Sequence, residues 1–153
     1  MQASVDQLDT SVETVAGGLA ALLKHLLGST NRDFFSALES AGISLTQMKC
    51  LGLLYDAGEP LPLGSLSAEI GLSPPAVSRA VDGLVQRGEV KRTEDPSDRR
   101  AKRLTVSARG RRTFERLVEI RFAGVRRFVS TLSEHEREAL ASSIGPLVER
   151  LRP

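Results

Sequence analysis

Residues 66–88, LSAEIGLSPPAVSRAVDGLVQRG, decide the fold of this chain of 153 residues. They predict two short helices joined by a tight turn. Gly71 stands where the chain must turn sharply, a position that favours positive φ. Ser73 is a good N-cap for the second helix, and Pro74 has no N–H to leave unpaired at the first helical position. The spacing predicts a helix-turn-helix in which the Leu72 side chain is buried between the two helices.

An antiparallel hairpin is predicted directly after this pair of helices. The alternating segments EVKRT and AKRLTV flank the turn EDPSDRR at residues 94–100. Val90, Leu104 and Val106 can face the core, while basic residues are distributed along the strands. A helix-turn-helix followed by a two-stranded hairpin is a winged helix.

Positive charge is concentrated in the same part of the chain. Residues 73–112 contain 11 Lys or Arg and 5 Asp or Glu, a local charge of +6, whereas residues 1–72 contain 3 and 8, a local charge of −5. A solvated charged face explains most charge clusters. Here the charges fall on the predicted helix-turn-helix and hairpin, and that placement favours contact with nucleic acid.

The outward face of the second helix presents residues at i, i+3, i+4 and i+7 spacing: Pro75, Ser78, Arg79 and Asp82. A helix in a major groove brings such side chains to base edges, and Arg79 can bridge guanine O6 and N7 or hold a phosphate. The alternative is a solvent-facing arginine paired with Asp82. At the helix start, Ser73 can offer its hydroxyl and nearby free N–H groups to a phosphate.

Helices with apolar stripes at i, i+3, i+4 and i+7 spacing flank the winged helix on both sides. A short edge strand is predicted at LPL, before the helix-turn-helix. The predicted helix caps are Thr46, Ser107 and Ser133, the last in a capping box with Glu136, and the predicted helix breaks and ends are residues 28–31, Gly42, Gly58 and Gly88.

The flanking helices also bear on assembly. They can pack only within the chain, but one recognition helix reads only a few base pairs, and a two-fold dimer places two such helices about one DNA turn apart. We therefore expect a single domain, 1–153, which is mainly α with a small antiparallel β wing. Residues 45–106 form its winged helix-turn-helix, and residues 1–42 and 107–153 form a helical dimerisation region.

Three stretches resemble the multiple antibiotic resistance regulator (MarR) family: SLTQMKCLGLL, LSAEIGLSPPAVSRAVDGLVQRGEVKR and DPSDRRAKRLTVSARG, from about Leu45 to Gly110. The resemblance implies a homodimeric bacterial or archaeal transcription regulator, usually a repressor released by a small ligand or an oxidant. It implies that the helix after the turn enters the major groove of double-stranded DNA. It also implies that an arginine of a D-x-R wing motif enters the minor groove.

In this chain the D-x-R motif is Asp98-Arg99-Arg100, so the resemblance gives Arg100 the minor-groove role, with Arg99 as its neighbour. Asp98 suits a role in shaping the tip by hydrogen-bonding the loop or orienting an arginine. The predicted DNA-binding set is Ser73, Pro75, Ser78, Arg79, Asp98, Arg99, Arg100 and Arg103.

The resemblance further implies an effector site between the dimer helices and the winged helix, lined by parts of the first, second and fifth helices. His25, Arg32 and Met48 are candidates from position alone, and each also suits an ordinary packing or surface role. Ligand binding there would change the spacing of the two recognition helices and release a pseudo-palindromic operator.

Two alternatives remain open. Cys50 raises the hypothesis of a peroxide- or thiol-sensing regulator, which requires an accessible thiol of lowered pKa. Its position between Gln47 and Leu54, on the apparent core side of the helix, favours a buried thiol. A winged helix that binds protein is the other alternative, but it should carry an acidic or apolar recognition face in place of Arg79 and the wing arginines.

Composition and motifs exclude several other classes. The chain is 41% hydrophobic and 26% charged, as in an ordinary globular protein, and no apolar run approaches the roughly 20 residues that span a bilayer. A single cysteine excludes an internal disulfide, and His25 and His135 lack zinc-ligand spacing. No phosphate loop, nucleophile elbow or triad is evident, so no enzyme activity, metal or cofactor is expected. The polar N-terminus is no secretory signal, and a cytoplasmic location is expected.

Overall fold

The computed structural model describes residues 10–95 and 102–151, and it confirms the predicted fold class of a mainly helical protein with a small antiparallel wing. The elements in chain order are α1 (Val12–Gly28), α2 (Asn31–Ser40), α3 (Leu45–Ala57), β1 (Leu61–Pro62), α4 (Leu63–Ile70), α5 (Pro74–Gln86), β2 (Val90–Glu94), β3 (Lys102–Val106), α6 (Ala108–Thr131) and α7 (Glu134–Glu149).

The wing is part of a three-stranded antiparallel sheet in the order β1-β3-β2. The predicted edge strand at LPL is confirmed as β1, which pairs with β3 so that Leu61 lies opposite Leu104. In the hairpin, Val90 lies opposite Val106. Val90, Leu104 and Val106 are buried as predicted, so one face of the sheet closes the core.

The start of α3 corrects one prediction, because its N-cap is Ser44 and not Thr46. The Ser44 hydroxyl accepts a hydrogen bond from the Gln47 N–H at 3.2 Å, and Gln47 Oε1 accepts one from the Ser44 N–H at 2.9 Å. This capping box satisfies two helix-start N–H groups reciprocally, whereas Thr46 already lies inside the first turn. The helix ends at Gly58 as predicted.

The start of α6 confirms the predicted cap at Ser107. Its hydroxyl accepts a hydrogen bond from the Gly110 N–H at 3.0 Å and donates one to the Gly88 carbonyl at 2.7 Å. One side chain therefore caps α6 and ties it to the segment that follows α5. The capping box of Ser133 and Glu136 at the start of α7 is confirmed as well.

The described residues group into two compact units. Arg32–Arg121 form one unit, which contains the winged helix and a continuous hydrophobic core. Its fully buried members come from α3, α4, α5 and the wing: Cys50, Leu51, Leu54, Leu66, Val77, Val81, Leu84, Val90 and Leu104. The other unit joins the described residues up to Asn31 with those from Phe122 onward.

The second of these units leaves much apolar surface uncovered. Helix α7 buries none of its residues, and α1 buries Leu26. The large apolar side chains exposed on these two helices and just beyond α7 are Val12, Val15, Leu19, Leu23, Ile144, Leu147, Val148 and Leu151.

Candidate nucleic-acid interface

The position of α5 follows from the turn before it and from the side chains beneath it. Gly71 adopts a φ of 71° and ends α4, which confirms the predicted turn. Val77, Val81 and Leu84 are each 0% exposed, so they hold one face of α5 against the core. The opposite face of the helix is directed outward.

The predicted burial of Leu72 is wrong, because its side chain is 42% exposed. Leu66 of α4 and Val77 of α5 are both fully buried members of the core, so the two helices supply apolar side chains to the core and the turn between them does not. The turn therefore carries an apolar side chain on the surface beside the start of α5.

The start of α5 corrects another expectation. Ser73 is the N-cap as predicted, but its side chain makes no capping hydrogen bond. Pro74 and Pro75 have no N–H, and the Ala76 N–H donates to the Ser73 carbonyl at 3.0 Å. Residues 74–76 therefore offer no free N–H group, and the exposed Ser73 hydroxyl is the side-chain donor at this helix start.

Arg79 lies exposed on the outward face of α5, and the predicted alternative of a pair with Asp82 is not formed. Asp82 Oδ1 instead accepts a hydrogen bond from Arg92 Nη2 of β2 at 2.7 Å. Within residues 10–95 and 102–151, no hydrogen bond or ion pair engages the Arg79 guanidinium. Of the other predicted contacts on this helix, Pro75 is exposed and Ser78 is partly exposed.

Arg103 lies at the base of the wing, where two neighbours engage it. Its Nε donates to Asp95 Oδ2 at 2.6 Å and its Nη1 donates to the Pro60 carbonyl at 3.2 Å. Its role in binding DNA stays a prediction. The predicted tip residues Asp98, Arg99 and Arg100 lie outside the described residues.

The ion pairs that brace the wing were missed from the sequence. Asp82–Arg92 joins α5 to β2, and Lys102 Nζ lies 3.0 Å from Glu94 Oε1 across the hairpin. Only the Glu94–Lys102 pair was predictable from the sequence, because these residues lie opposite each other in the register of the hairpin. Exposed pairs contribute only about 0–1 kcal/mol to stability, so the main effect of Asp82–Arg92 is to orient the wing against α5.

The three predicted effector residues are not brought together within one unit. His25 is exposed and belongs to the unit of α1 and α7, where it lines a shallow depression with Lys24 and Ser29. Arg32 and Met48 belong to the unit of the winged helix. Arg32 is exposed on α2, and Met48 packs against the core.

A cleft between α2 and α6 was not predicted at all. It has a volume of about 540 Å³, and its charged and polar lining comes from Asp33, Ser36, Ser40, Glu89, Arg109, Thr113 and Arg116. Glu89 is 3% exposed, its Oε2 lies 3.2 Å from Arg87 Nε, and its Oε1 accepts a hydrogen bond from the Thr113 hydroxyl at 3.3 Å. No local motif signals this cleft, because its residues come from α2, α6 and the start of the wing.

The thiol of Cys50 is fully buried, as the sequence favoured. Burial raises its pKa to about 11, and a hydrogen bond involving its own backbone opposes this only in part. The thiolate is the nucleophile in thiol chemistry, and at pH 7 it is a very small fraction of this group. The geometry therefore disfavours the sensing alternative.

We expect the native protein to resist thiol reagents and peroxide at pH 7. Labelling by an aromatic disulfide, followed in the native state and in denaturant, measures this. Cys50 should react at least about a hundredfold faster once unfolded, since unfolding restores both solvent access and an ordinary pKa. Rapid labelling of the native protein would reinstate thiol sensing.

Two further properties of the described residues concern membrane and metal-binding proteins. In the part of the chain that the structure describes, no helix is both long and apolar enough to cross a membrane. Among the same residues, no group of three or more His, Cys, Asp or Glu side chains is arranged to hold a metal ion.

A helix-turn-helix braced by a basic wing, with a free arginine on its outward helix, defines a winged-helix protein of the DNA-binding class. The MarR family model matches residues 43–102. Among relatives, the uncharacterised HTH-type transcriptional regulator YcgE of Bacillus subtilis is 38% identical over 65 residues, which are 42% of this chain and 42% of YcgE. The HTH-type transcriptional repressor MdtR of the same species is 25% identical over 82% of this chain and 81% of MdtR.

The fold is also found in a solved structure of a mutant of MepR from S. aureus bound to an oligodeoxyribonucleotide. It is 22% identical, with a TM-score of 0.67 over 88% of this chain and 98% of MepR. Over residues 43–102 the chain is similar to the MarR family, whose relatives above are named as HTH-type transcription regulators.

Proposed function

We propose that the protein is a homodimeric repressor that binds a pseudo-palindromic operator and is released from it by a small-molecule ligand. The observation that carries the operator contact is Arg79, exposed on α5 and without a partner among the described residues. Repression is supported by MdtR, a relative named as a transcriptional repressor. Because its target is DNA, we expect the protein to act in the cytoplasm.

Dimerisation is supported by the uncovered apolar side chains of α1 and α7. Contiguous exposed apolar surface is typical of a protein interface. In a two-fold dimer this surface would be covered, and two copies of α5 would meet successive turns of the same DNA face.

The cleft between α2 and α6 is the best candidate for the effector site. Its buried Glu89 bonds Arg87, which is the C-cap residue of α5, so an occupant that displaces Glu89 would act directly on the end of the recognition helix. Release of a labelled operator by a panel of small molecules at fixed salt tests this. A molecule that binds in the cleft without altering operator affinity would contradict it.

Operator affinity should fall steeply with salt, because phosphate contacts displace condensed counterions. With about six phosphate contacts per dimer, a plot of log K against log salt should have a slope of about −5. Fluorescence anisotropy of a labelled duplex measures this slope when the salt concentration is varied from about 50 to about 200 mM. A flat plot would favour the protein-binding winged helix instead.

The wing prediction is tested by Arg100→Ala. We expect operator affinity to fall by about 1–3 kcal/mol, since a minor-groove arginine would be lost. Arg99→Ala is the matched control, and it should have a smaller effect. Equal effects, or none for Arg100→Ala, would remove the minor-groove role carried over from the family.

A further inference from the structure

Gln47 connects the start of α3 to the recognition helix. Its Nε2 donates a hydrogen bond to the Ala80 carbonyl at 3.2 Å, while its Oε1 accepts the bond from the Ser44 N–H that completes the capping box. Ala80 directly follows Arg79 in α5. Both ends of one side-chain amide are therefore engaged, and together they fix this point of α5 against α3.

Gly83 makes room for that amide. A Cβ atom placed on Gly83 would lie 2.5 Å from Gln47 Nε2 and 3.8 Å from its Cδ, and real Cβ atoms essentially never approach within 3.0 Å. Any other residue would have to displace the amide, and displacement would break the bond to Ala80 or the bond to Ser44. Glycine also lowers the stability of a helix interior relative to alanine. Gly83 therefore leaves room for the Gln47 amide at the cost of some intrinsic stability of α5.

We propose that Gln47 and Gly83 form a joint that sets the orientation of α5 for reading the operator, with Gln47 as a positioning residue that acts through the helix. The joint faces α3 through the bond to Ala80, and Gly83 lies one helical turn after the exposed Arg79, so the joint lies directly beside that arginine on α5. A small rotation of the helix moves the far end of a long arginine most.

The expected signature is a loss of sequence discrimination. Hydrogen bonds to base edges need fixed geometry, whereas phosphate contacts carry no sequence information and tolerate displacement. The inference rests on the proposed operator binding. Loosening the joint should therefore weaken binding to the operator more than binding to unrelated duplex DNA.

The joint itself is tested by a double-mutant cycle on thermal stability. Gly83→Ala should leave Tm unchanged or lower it in the wild-type background. In the Gln47→Ala background it should raise Tm by a few degrees, because the methyl group enters vacated space and alanine favours the helix. The same shift of Tm in both backgrounds would overturn the joint.

The role in recognition is tested with Gln47→Glu. Glutamate keeps the acceptor of the capping box, but its carboxylate cannot donate to the Ala80 carbonyl. Affinity for an operator selected by the wild-type protein from a random duplex pool should fall on the order of tenfold. Affinity for unrelated duplex at the same salt should change by less than about twofold.

Ser44→Ala is the matched control, because it weakens the same cap and leaves the donor to Ala80 in place. It should lower Tm without changing the ratio of operator to unrelated affinity. Equal losses on both duplexes, or an unchanged operator affinity in Gln47→Glu, would overturn the positioning role. If the wild-type protein selects no preferred sequence from the random duplex pool, the proposed function is overturned. That experiment needs no variant, so it is distinguishable from a failure of the positioning role.

Discussion

Replacing Arg79 with alanine is expected to lower operator affinity by about 1–3 kcal/mol for each half-site, which is about five- to 150-fold per half-site. The guanidinium is exposed on the outward face of α5, and the carboxylate that could have neutralised it, Asp82, is bonded to Arg92. It can therefore engage DNA without first breaking an internal ion pair. Anisotropy of a labelled operator at fixed salt measures the loss.

The matched control for this prediction is Arg126→Ala, which removes another exposed arginine, one that belongs to α6. It removes the same formal charge from a residue outside the helix-turn-helix and the wing, so it should change operator affinity by less than about 0.5 kcal/mol. Arg79→Lys separates the two readings of the contact, since lysine retains a phosphate contact but loses bidentate guanine recognition. If Arg79→Ala and Arg126→Ala behave alike, the outward face of α5 does not read the operator.

Gly110→Ala is expected to lower the free energy of unfolding by about 1–3 kcal/mol or more. Gly110 lies in the first turn of α6, where a Cβ atom would collide with the Glu89 carbonyl oxygen and crowd Val106 Cγ2 at 3.0 Å. The obstacle is backbone and cannot rotate away. The same carbonyl accepts a hydrogen bond from the Ser107 N–H at 2.9 Å, so relief of the collision would disturb the α6 cap.

Gly64→Ala is the control for this prediction, since Gly64 also lies in the first turn of a helix and has open space around its would-be Cβ. It should leave stability unchanged or raise it, because alanine is the better helix former. Chemical denaturation of both variants measures the difference. A Gly110→Ala protein as stable as Gly64→Ala would mean that α6 and the base of the wing do not approach as closely as the structure has them.

The elements that could be predicted from the sequence are those whose turns, caps and apolar spacing depend on neighbouring residues in the chain. Gly71 turns the chain through its own φ, the Ser73 carbonyl accepts a bond from the Ala76 N–H, and Ser107 caps α6 through the Gly110 N–H. The apolar spacing of α5 determines its buried face. For this reason the helix-turn-helix, the hairpin and their order along the chain follow from the sequence.

The elements that could not be predicted depend on partners distant in sequence. Leu66 and Val77 are buried whereas Leu72 is exposed, and no local pattern in the sequence ranks these three side chains. The bond from Gln47 to Ala80 spans 33 residues, and the cleft draws its lining from α2, α6 and the wing base. The choice of Ser44 over Thr46 is different, since Gln47 three residues after Ser44 was a readable capping-box signal.

The absence of buried residues in α7 has a consequence for gene dosage. If a second copy of the chain supplies the missing contacts, this helix is stable only while subunits are paired, and the amount of DNA-competent protein depends on total concentration. Well below the dissociation constant of the pair, the dimer population rises with the square of the subunit concentration. A cell that doubled expression of this gene would then gain about four times as much active regulator. Unpaired subunits, with an exposed terminal helix, would be the natural substrates for proteolysis.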